Sequence, residues 1–260
     1  MHLESAAREL SLERYGFFEK ELYQRLFNLI LREESSTNDK IGGVLTIREL
    51  INTASASTED KILKISDALS EALRSNTDYA LLELVTDSLG YFFAKAALVS
   101  QLDCIEKQLF IALDWLKSPL SHRKFVACSL LRHLAETCVF FAKLKEFFDS
   151  IFSDLWDAKE RIRQAASSAI SACLAVLADR TYHLEWHYLI YDKLLEGQSR
   201  SLSSETCRGS LILMPSMLNH TGDFMIPRYR ETCKAVMLLK NNKSTKVRSA
   251  ILQLLPQFVH

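Results

Sequence analysis

The sequence predicts an all-α solenoid of about six HEAT-type helical hairpins, an α-α superhelix. Three observations predict it. Apolar residues recur at helical spacing through most of the chain. Helices with large apolar side chains alternate with helices whose apolar face is built from small ones, and a short polar turn joins each pair. The pair recurs at a period of roughly 38–44 residues, inside the range of HEAT and armadillo repeats.

The clearest hairpin lies near the middle. Leu144, Phe147, Phe148, Ile151, Phe152 and Leu155 fall at i, i+3, i+4, i+7, i+8 and i+11, one face of a helix with bulky side chains. After Trp156 to Lys159, the same template returns in Ile162, Ala165, Ala166, Ala169, Ile170 and Cys173 with small residues at its centre. Asp157 is placed to accept a hydrogen bond from a first-turn N–H of the second helix. The alanines allow close approach by neighbouring helices. A hairpin of this size cannot bury both faces alone, so it belongs in a stack.

The repeats read in order as approximately 13–52, 58–99, 102–139, 143–178, 183–219 and 223–260 of one continuous segment. In the first, a helix over 13–32 turns at Ser35 to Asp39 into a helix over Lys40 to Ile51. Gly42 and Gly43 inside that helix cost about 1 kcal/mol each relative to alanine, which points to close contact with another helix. Asn52 to Thr58 is a polar linker. The second pair is 59–74 and 79–95, and the third is 103–117 and 122–139 with a break at Pro119. The fifth is 183–196 and 205–218, the latter bent or ended by Pro215. Pro227 opens the last pair, to Lys240 and then 246–258. The apolar pattern is still running at the final residues. That predicts a longer array, with Leu254, Leu255 and Phe258 exposed.

Composition narrows the function. Of 260 residues 48% are hydrophobic, while only 7 are glycine and 4 proline, which suits helices with short turns. Thirty-two basic and 32 acidic side chains balance, so no whole-chain field draws nucleic acid or anionic membrane. Six scattered cysteines read as buried thiols in a reducing compartment. The first residues lack a basic region followed by an apolar run, and no stretch is long and clean enough to span a bilayer. The expectation is a soluble, cytoplasmic protein or segment.

Catalytic motifs are absent from the sequence. No phosphate loop, dinucleotide fingerprint, kinase catalytic loop or nucleophile elbow is present, and Asp223-Phe224-Met225 lacks the glycine of a kinase metal-binding triplet. His183 and His187 share a helical face, but Glu185 is one position late for a zinc protease, so ordinary helix contacts are expected. Cys128, His133 and Cys138 rotate by about 140° at each step and do not converge on a metal. No catalytic residue, cofactor or metal is expected. Phe140 and Phe141 are either a partly exposed partner patch or plain packing.

Basic clusters occur at His122 to Lys124, Lys159 to Arg163, Arg228 to Arg230 and Lys243 to Arg248. Three of them sit near the starts of small-faced helices, where stacking would align them. Arg123, Lys124, Arg161, Arg163, Lys246 and Arg248 are therefore the candidate partner-binding residues, forming a ridge for acidic protein or phosphate. The alternative is a solvated face with local ion pairs, Glu160 with the neighbouring arginines among them.

With the repeats placed, the chain resembles the N-terminal HEAT region of the target of rapamycin (TOR) Ser/Thr protein kinases, of the phosphatidylinositol-3-kinase-related kinase family. The resemblance is carried by Lys40 to Ile47, Ser75-Asn76 with Leu89-Gly90, Ala112 to Leu116, and Arg123-Lys124 to Leu134-Ala135. It is densest from Phe147 through Trp156-Asp157-Ala158-Lys159 to Cys173-Leu174. It runs in order from about residue 13 to 178 and thins afterwards. The resemblance implies a non-catalytic scaffold that assembles a TOR complex in growth and nutrient signalling. It implies a raptor-like or rictor-like accessory subunit and the second TOR protomer of a dimeric complex as partners. No nucleic acid and no direct membrane insertion are implied, and any endomembrane association would run through partners. No kinase residue carries over. A free-standing HEAT-repeat adaptor is the other reading of the same repeats.

Overall fold

The computed structural model describes residues 12–51, 59–98, 102–178, 184–199 and 201–258. The predicted linker 52–58 and His183 lie outside them. Among the described residues the regular structure is entirely helical. The chain runs α1 (Leu12–Leu31), α2 (Thr37–Ile51), α3 (Glu59–Ser75), α4 (Tyr79–Leu98), α5 (Leu102–Leu116), α6 (Ser121–Leu134) and the short α7 (Cys138–Phe141). It continues with α8 (Leu144–Leu155), α9 (Glu160–Ala178), α10 (Leu184–Glu196), α11 (Ser204–His220), α12 (Tyr229–Leu238) and α13 (Thr245–Leu254). This is an all-α solenoid of helical hairpins. Two compact units, 1–108 and 109–260, divide it within α5.

In the first unit α1 pairs with α2 and α3 with α4, and the second helices of the two pairs, α2 and α4, pack together. Val44 and Ile47 of α2 and Leu82, Val85 and Leu89 of α4 are fully buried. Gly43 lies where a Cβ would stand 2.8 Å from Ile30 Cγ1, so α2 approaches α1 as closely as the expectation required. Gly42 differs: nothing stands within 4 Å of its Cβ position. At the turn side, Lys40 is buried and donates to Asn76 Oδ1 at 2.9 Å. Gln108 donates to Ser70 Oγ at 2.5 Å.

In the second unit α9 is the central helix. It packs most heavily against α6 and α11, the small-faced helices before and after it, and also against its own partner α8. Ile162, Ala166, Ala169, Ile170 and Leu174 on that stripe have no exposed surface. The bulky face of α8 forms an aromatic core. Phe147 and Phe148 are 4.9 Å apart, Phe140 lies 5.1 Å from Phe147, and Trp186 of α10 stacks on Phe148 at 5.1 Å. Gly209 of α11 is pressed onto the end of α8, where a Cβ would stand 2.0 Å from the Leu155 carbonyl oxygen.

Several helix limits differ from expectation. The helix expected over 122–139 ends at Leu134, because Thr137 turns back and donates its hydroxyl to the Leu134 carbonyl at 2.6 Å. The chain then makes the short α7. Pro215 neither ends nor visibly divides α11, which runs on to His220. Buried Leu213, Met214 and Met217 around it supply packing that offsets the lost hydrogen bond. The last pair closes with a 3-10 turn over Leu255–Phe258. Leu254 is buried, Leu255 and Phe258 are half-buried, and it is Leu252 that is 69% exposed. Among the described residues no helix is long and apolar enough to cross a membrane.

Candidate protein-interaction surface

The candidate basic residues sit at the turns that open α6, α9 and α13, and those turns share a construction. The side chain that starts each turn accepts from the N–H two residues on: Ser118 Oγ from Leu120 at 3.2 Å, Asp157 Oδ1 from Lys159 at 2.8 Å, and Asn242 Oδ1 from Ser244 at 2.9 Å. Asp157 thus caps the residue that precedes α9 rather than the first turn of the helix itself. Six residues after the start of the last two turns stands an arginine. Arg163 Nη1 donates to the Asp157 and Ala158 carbonyls at 2.6 and 2.8 Å. Arg248 Nη1 donates to the Asn242 and Lys243 carbonyls at 2.7 and 3.1 Å. Each guanidinium clasps its own turn with charge-assisted hydrogen bonds.

Lys124 occupies the equivalent position in the turn before α6 and is used differently. Its ammonium lies 2.5 Å from Asp154 Oδ1 and 3.6 Å from Asp157 Oδ2. The Asp154 side chain has no exposed surface. Burial pushes the Asp154 carboxyl above its usual range while Lys124 pulls it down. Burial works against the Lys124 ammonium too, but Asp154 and Asp157 outweigh it and raise its pKa. Cys128 is buried beside the pair, its Sγ 3.9 Å from Asp154 Oδ2, and burial drives its thiol well above the ordinary value.

The remaining candidates are more open. The Arg123 guanidinium lies over the Trp115 ring at 5.3 Å. Arg161 is exposed. Lys246, with 66% of its side chain exposed, reaches Glu160 Oε2 at 3.3 Å. Glu160 also takes Arg208 Nη2 at 2.5 Å, so one carboxylate from α9 holds cations of α11 and α13. Hydrogen bonds from Arg208 and then Lys246 hold the Glu160 carboxyl down at about 2. The structure therefore brings Lys124 and Arg163 to one acidic turn and ties Lys246 to the start of α9, with Arg163 buried and Arg161 and Lys246 facing outward. Arg208 is the residue sequence reading missed. It stands apart from any basic cluster, and its only signal is its place near the start of a small-faced helix, 48 residues after Glu160.

Other sequence candidates have structural places. His187 is buried with its ring 5.5 Å from Phe224. Phe140 is fully buried, so the partner-patch reading of that residue is corrected to packing: the turn at Thr137 folds it onto Phe147. Arg228 is held by aromatic faces, 3.9 Å from the Phe224 ring centre and 4.8 Å from that of Tyr188. Among the described residues no group of His, Cys, Asp and Glu is arranged to hold a metal ion.

No protein-family model matches the chain. Over 264 residues, all of this chain, it is 30% identical to the serine/threonine-protein kinase TOR of Arabidopsis thaliana, covering 10% of that protein. It is 30% identical over 267 residues to the serine/threonine-protein kinase TOR of Oryza sativa subsp. japonica, covering all of this chain and 11% of that one. To the serine/threonine-protein kinase TOR2 of Saccharomyces cerevisiae it is 26% identical over 274 residues, 98% of this chain and 11% of that one. The chain is homologous to the TOR kinases over its full length. It spans about a tenth of the length of these TOR relatives. Among solved structures, two designed armadillo repeat proteins superpose with TM-scores of 0.44 and 0.46 at 11% and 12% identity. They cover 91% and 92% of this chain, and 99% of each design is matched. Of the six candidates, Lys124, Arg163 and Arg248 are spent on groups of the turns or the adjoining helix end, and Arg161 and Lys246 are the exposed ones.

Proposed function

We propose that this chain is a non-catalytic scaffold segment of the N-terminal region of a TOR-type protein kinase, acting in the cytoplasm in growth and nutrient signalling. It takes part in assembling the kinase complex, binds an accessory subunit of the raptor or rictor kind, and contributes to contacts with the second kinase protomer. The observation that carries this reading is full-length homology to about a tenth of each kinase, in a segment made of stacked helical hairpins. Stacked hairpins of this kind spread binding over many residues. The exposed cations Arg161 and Lys246, with Arg123, Lys124, Arg163 and Arg248 shaping the turns beneath them, suit an acidic stretch of the accessory subunit.

Affinity capture of the tagged segment from its native cell, with the co-purifying proteins identified, tests the proposal. Recovery of a raptor-like or rictor-like subunit is the expected result and shows which complex is served. Recovery of a phosphatase catalytic subunit or unrelated cargo instead would move the assignment to a free-standing adaptor. Arg161→Glu with Lys246→Glu should reduce that recovery while leaving helicity unchanged. Undiminished recovery removes these side chains from the binding surface.

A further inference from the structure

Residues 20–107 hold an open groove of about 720 Å³ that plays no part in the basic turns. It lies between α1 and α3, neighbouring large-faced helices that pack against each other. Tyr23, Phe27 and Leu31 of α1 fall at i, i+4 and i+8 on one side of it, and Ala68 of α3 lines the other. The small side chain of Ala68 leaves room over the aromatic rings. The α1 wall alone, from Lys20 to Leu31, runs about 16 Å at 1.5 Å per residue. A trough of that length between two helices, with an apolar floor, has the form that accepts a third helix by its i, i+3, i+4 and i+7 side chains.

Charge on the rim decides which helix. The lining carries four basic side chains, Lys20, Lys64, Arg74 and Lys107, against two acidic ones, Asp67 and Glu71. Both acids are already engaged: Lys107 lies 2.8 Å from Asp67 and Arg74 3.4 Å from Glu71. Lys20 and Lys64 are exposed and make no ion pair among the described residues. They stand on opposite walls, so positive charge that no described acid neutralises flanks the apolar floor on both sides.

We infer that this groove docks an amphipathic helix of a partner protein whose apolar ridge is bordered by acidic residues. The inference rests on reading the chain as a binding scaffold and adds a second surface, in α1 and α3, to the one at the basic turns. The floor supplies affinity through burial of the ridge, and Lys20 and Lys64 set the preference for acidic flanks and the rate of encounter.

The test uses the full 260-residue chain and a labelled synthetic helical peptide of about 16 residues, long enough to hold a helix with favourable side-chain pairs. Its leucines stand at i, i+3, i+4 and i+7 with glutamates on both flanks. A matched peptide carries lysines in place of the glutamates. Fluorescence anisotropy should show the acidic peptide binding, and hydrogen exchange should show protection over 20–31 and 64–74. Lys20→Glu with Lys64→Glu, both exposed and therefore tolerated by the fold, should weaken the acidic peptide by about tenfold or more and improve the basic one. Equal affinity for both peptides would reduce the groove to an unselective apolar patch and overturn the inference. Protection elsewhere in the chain would overturn it too, as would a concentration-dependent dimer that protects α1 and α3 without peptide. Subunit capture with the same double variant separates the two proposals. Unchanged capture alongside lost peptide binding leaves the scaffold reading standing on the basic turns, and failed capture by the parent chain alongside selective peptide binding leaves the groove standing without it.

Discussion

At the scale of single residues, two helical glycines do unlike jobs. Gly42 is exposed in the middle of α2 with empty space at its Cβ position, so Gly42→Ala should stabilise the protein by about 0.5–1 kcal/mol through helix propensity. Gly209 meets backbone: its Cβ would stand 2.0 Å from the Leu155 carbonyl oxygen, and neither group can rotate away. Gly209→Ala should destabilise on the order of 1–3 kcal/mol by forcing α11 off the end of α8. Denaturant melts of the two variants check both signs, and a neutral Gly209→Ala would refute the close approach. The Lys124–Asp154 pair makes a sharper case. Lys124→Met leaves a fully buried carboxylate without its cation and should cost about 3–5 kcal/mol, much of it regained in Lys124→Met with Asp154→Leu. A double variant no better than the single one would show that the pair does more than neutralise itself.

Glu160 supplies the pH prediction. Its folded carboxyl is held at about 2, below the usual 4.5, by hydrogen bonds from Arg208 and Lys246. A depressed carboxylate adds stability that is fully present above its unfolded pKa and disappears as pH falls through the folded one. The tie from α9 to α11 and α13 should therefore weaken between about pH 4.5 and about 2. Because Glu160 keeps 38% of its side chain in solvent, the effect should be modest and should shrink further at high salt. Glu160→Gln should flatten this part of the melting temperature against pH curve, and an unaltered curve would place the acid sensitivity elsewhere.

At the scale of the element, α9 shows what a small-faced helix does. Ala166 is fully buried while Ala165 keeps 9% of its surface, and both lie on the stripe that meets α6 and α11. Ala166→Leu should overpack that junction and cost about 1–3 kcal/mol, with Ala165→Leu costing less. Melting at the parent's temperature would mean that the stripe does not carry the contact. Large side chains on α8 and small ones on α9 are complementary parts of one packing arrangement. The bulky helix fills the hairpin, and the alanine-lined one lets its neighbours close in.

At the scale of the molecule, packing within each unit runs between neighbouring hairpins, and the chain divides into two compact units at 108 and 109. Nearest-neighbour arrays lose cooperativity as they lengthen. Calorimetry should give a van't Hoff enthalpy below the calorimetric one, whereas equality would show all-or-none unfolding. The cysteines report on the same cores. Burial pushes the Cys173 thiol up to about 12 and the Cys128 thiol well above its ordinary value, while Cys233 is half-buried. In the native protein Cys233 should react with a thiol reagent while Cys128 and Cys173 stay protected until unfolding. Early modification of Cys173 would contradict the core placement of α9.

Repeat architecture is legible in this sequence because helical periodicity and the alternation of large and small faces are local patterns. The face of α8 and the stripe of α9 can each be read from spacing alone. Tertiary structure decided how each polar group is used. Arg163 and Arg248 look like members of a basic ridge in one dimension, yet they fold back onto carbonyls of their own turns. Arg208 carries no signal until the stack sets it against Glu160, 48 residues away. Gly42 and Gly43 are indistinguishable by propensity and separate only when Ile30 closes on one of them. The reason is common to all three. Periodicity depends on backbone geometry that every helix shares, whereas the partner of a charge or the space beside a Cβ depends on atoms brought together by stacking.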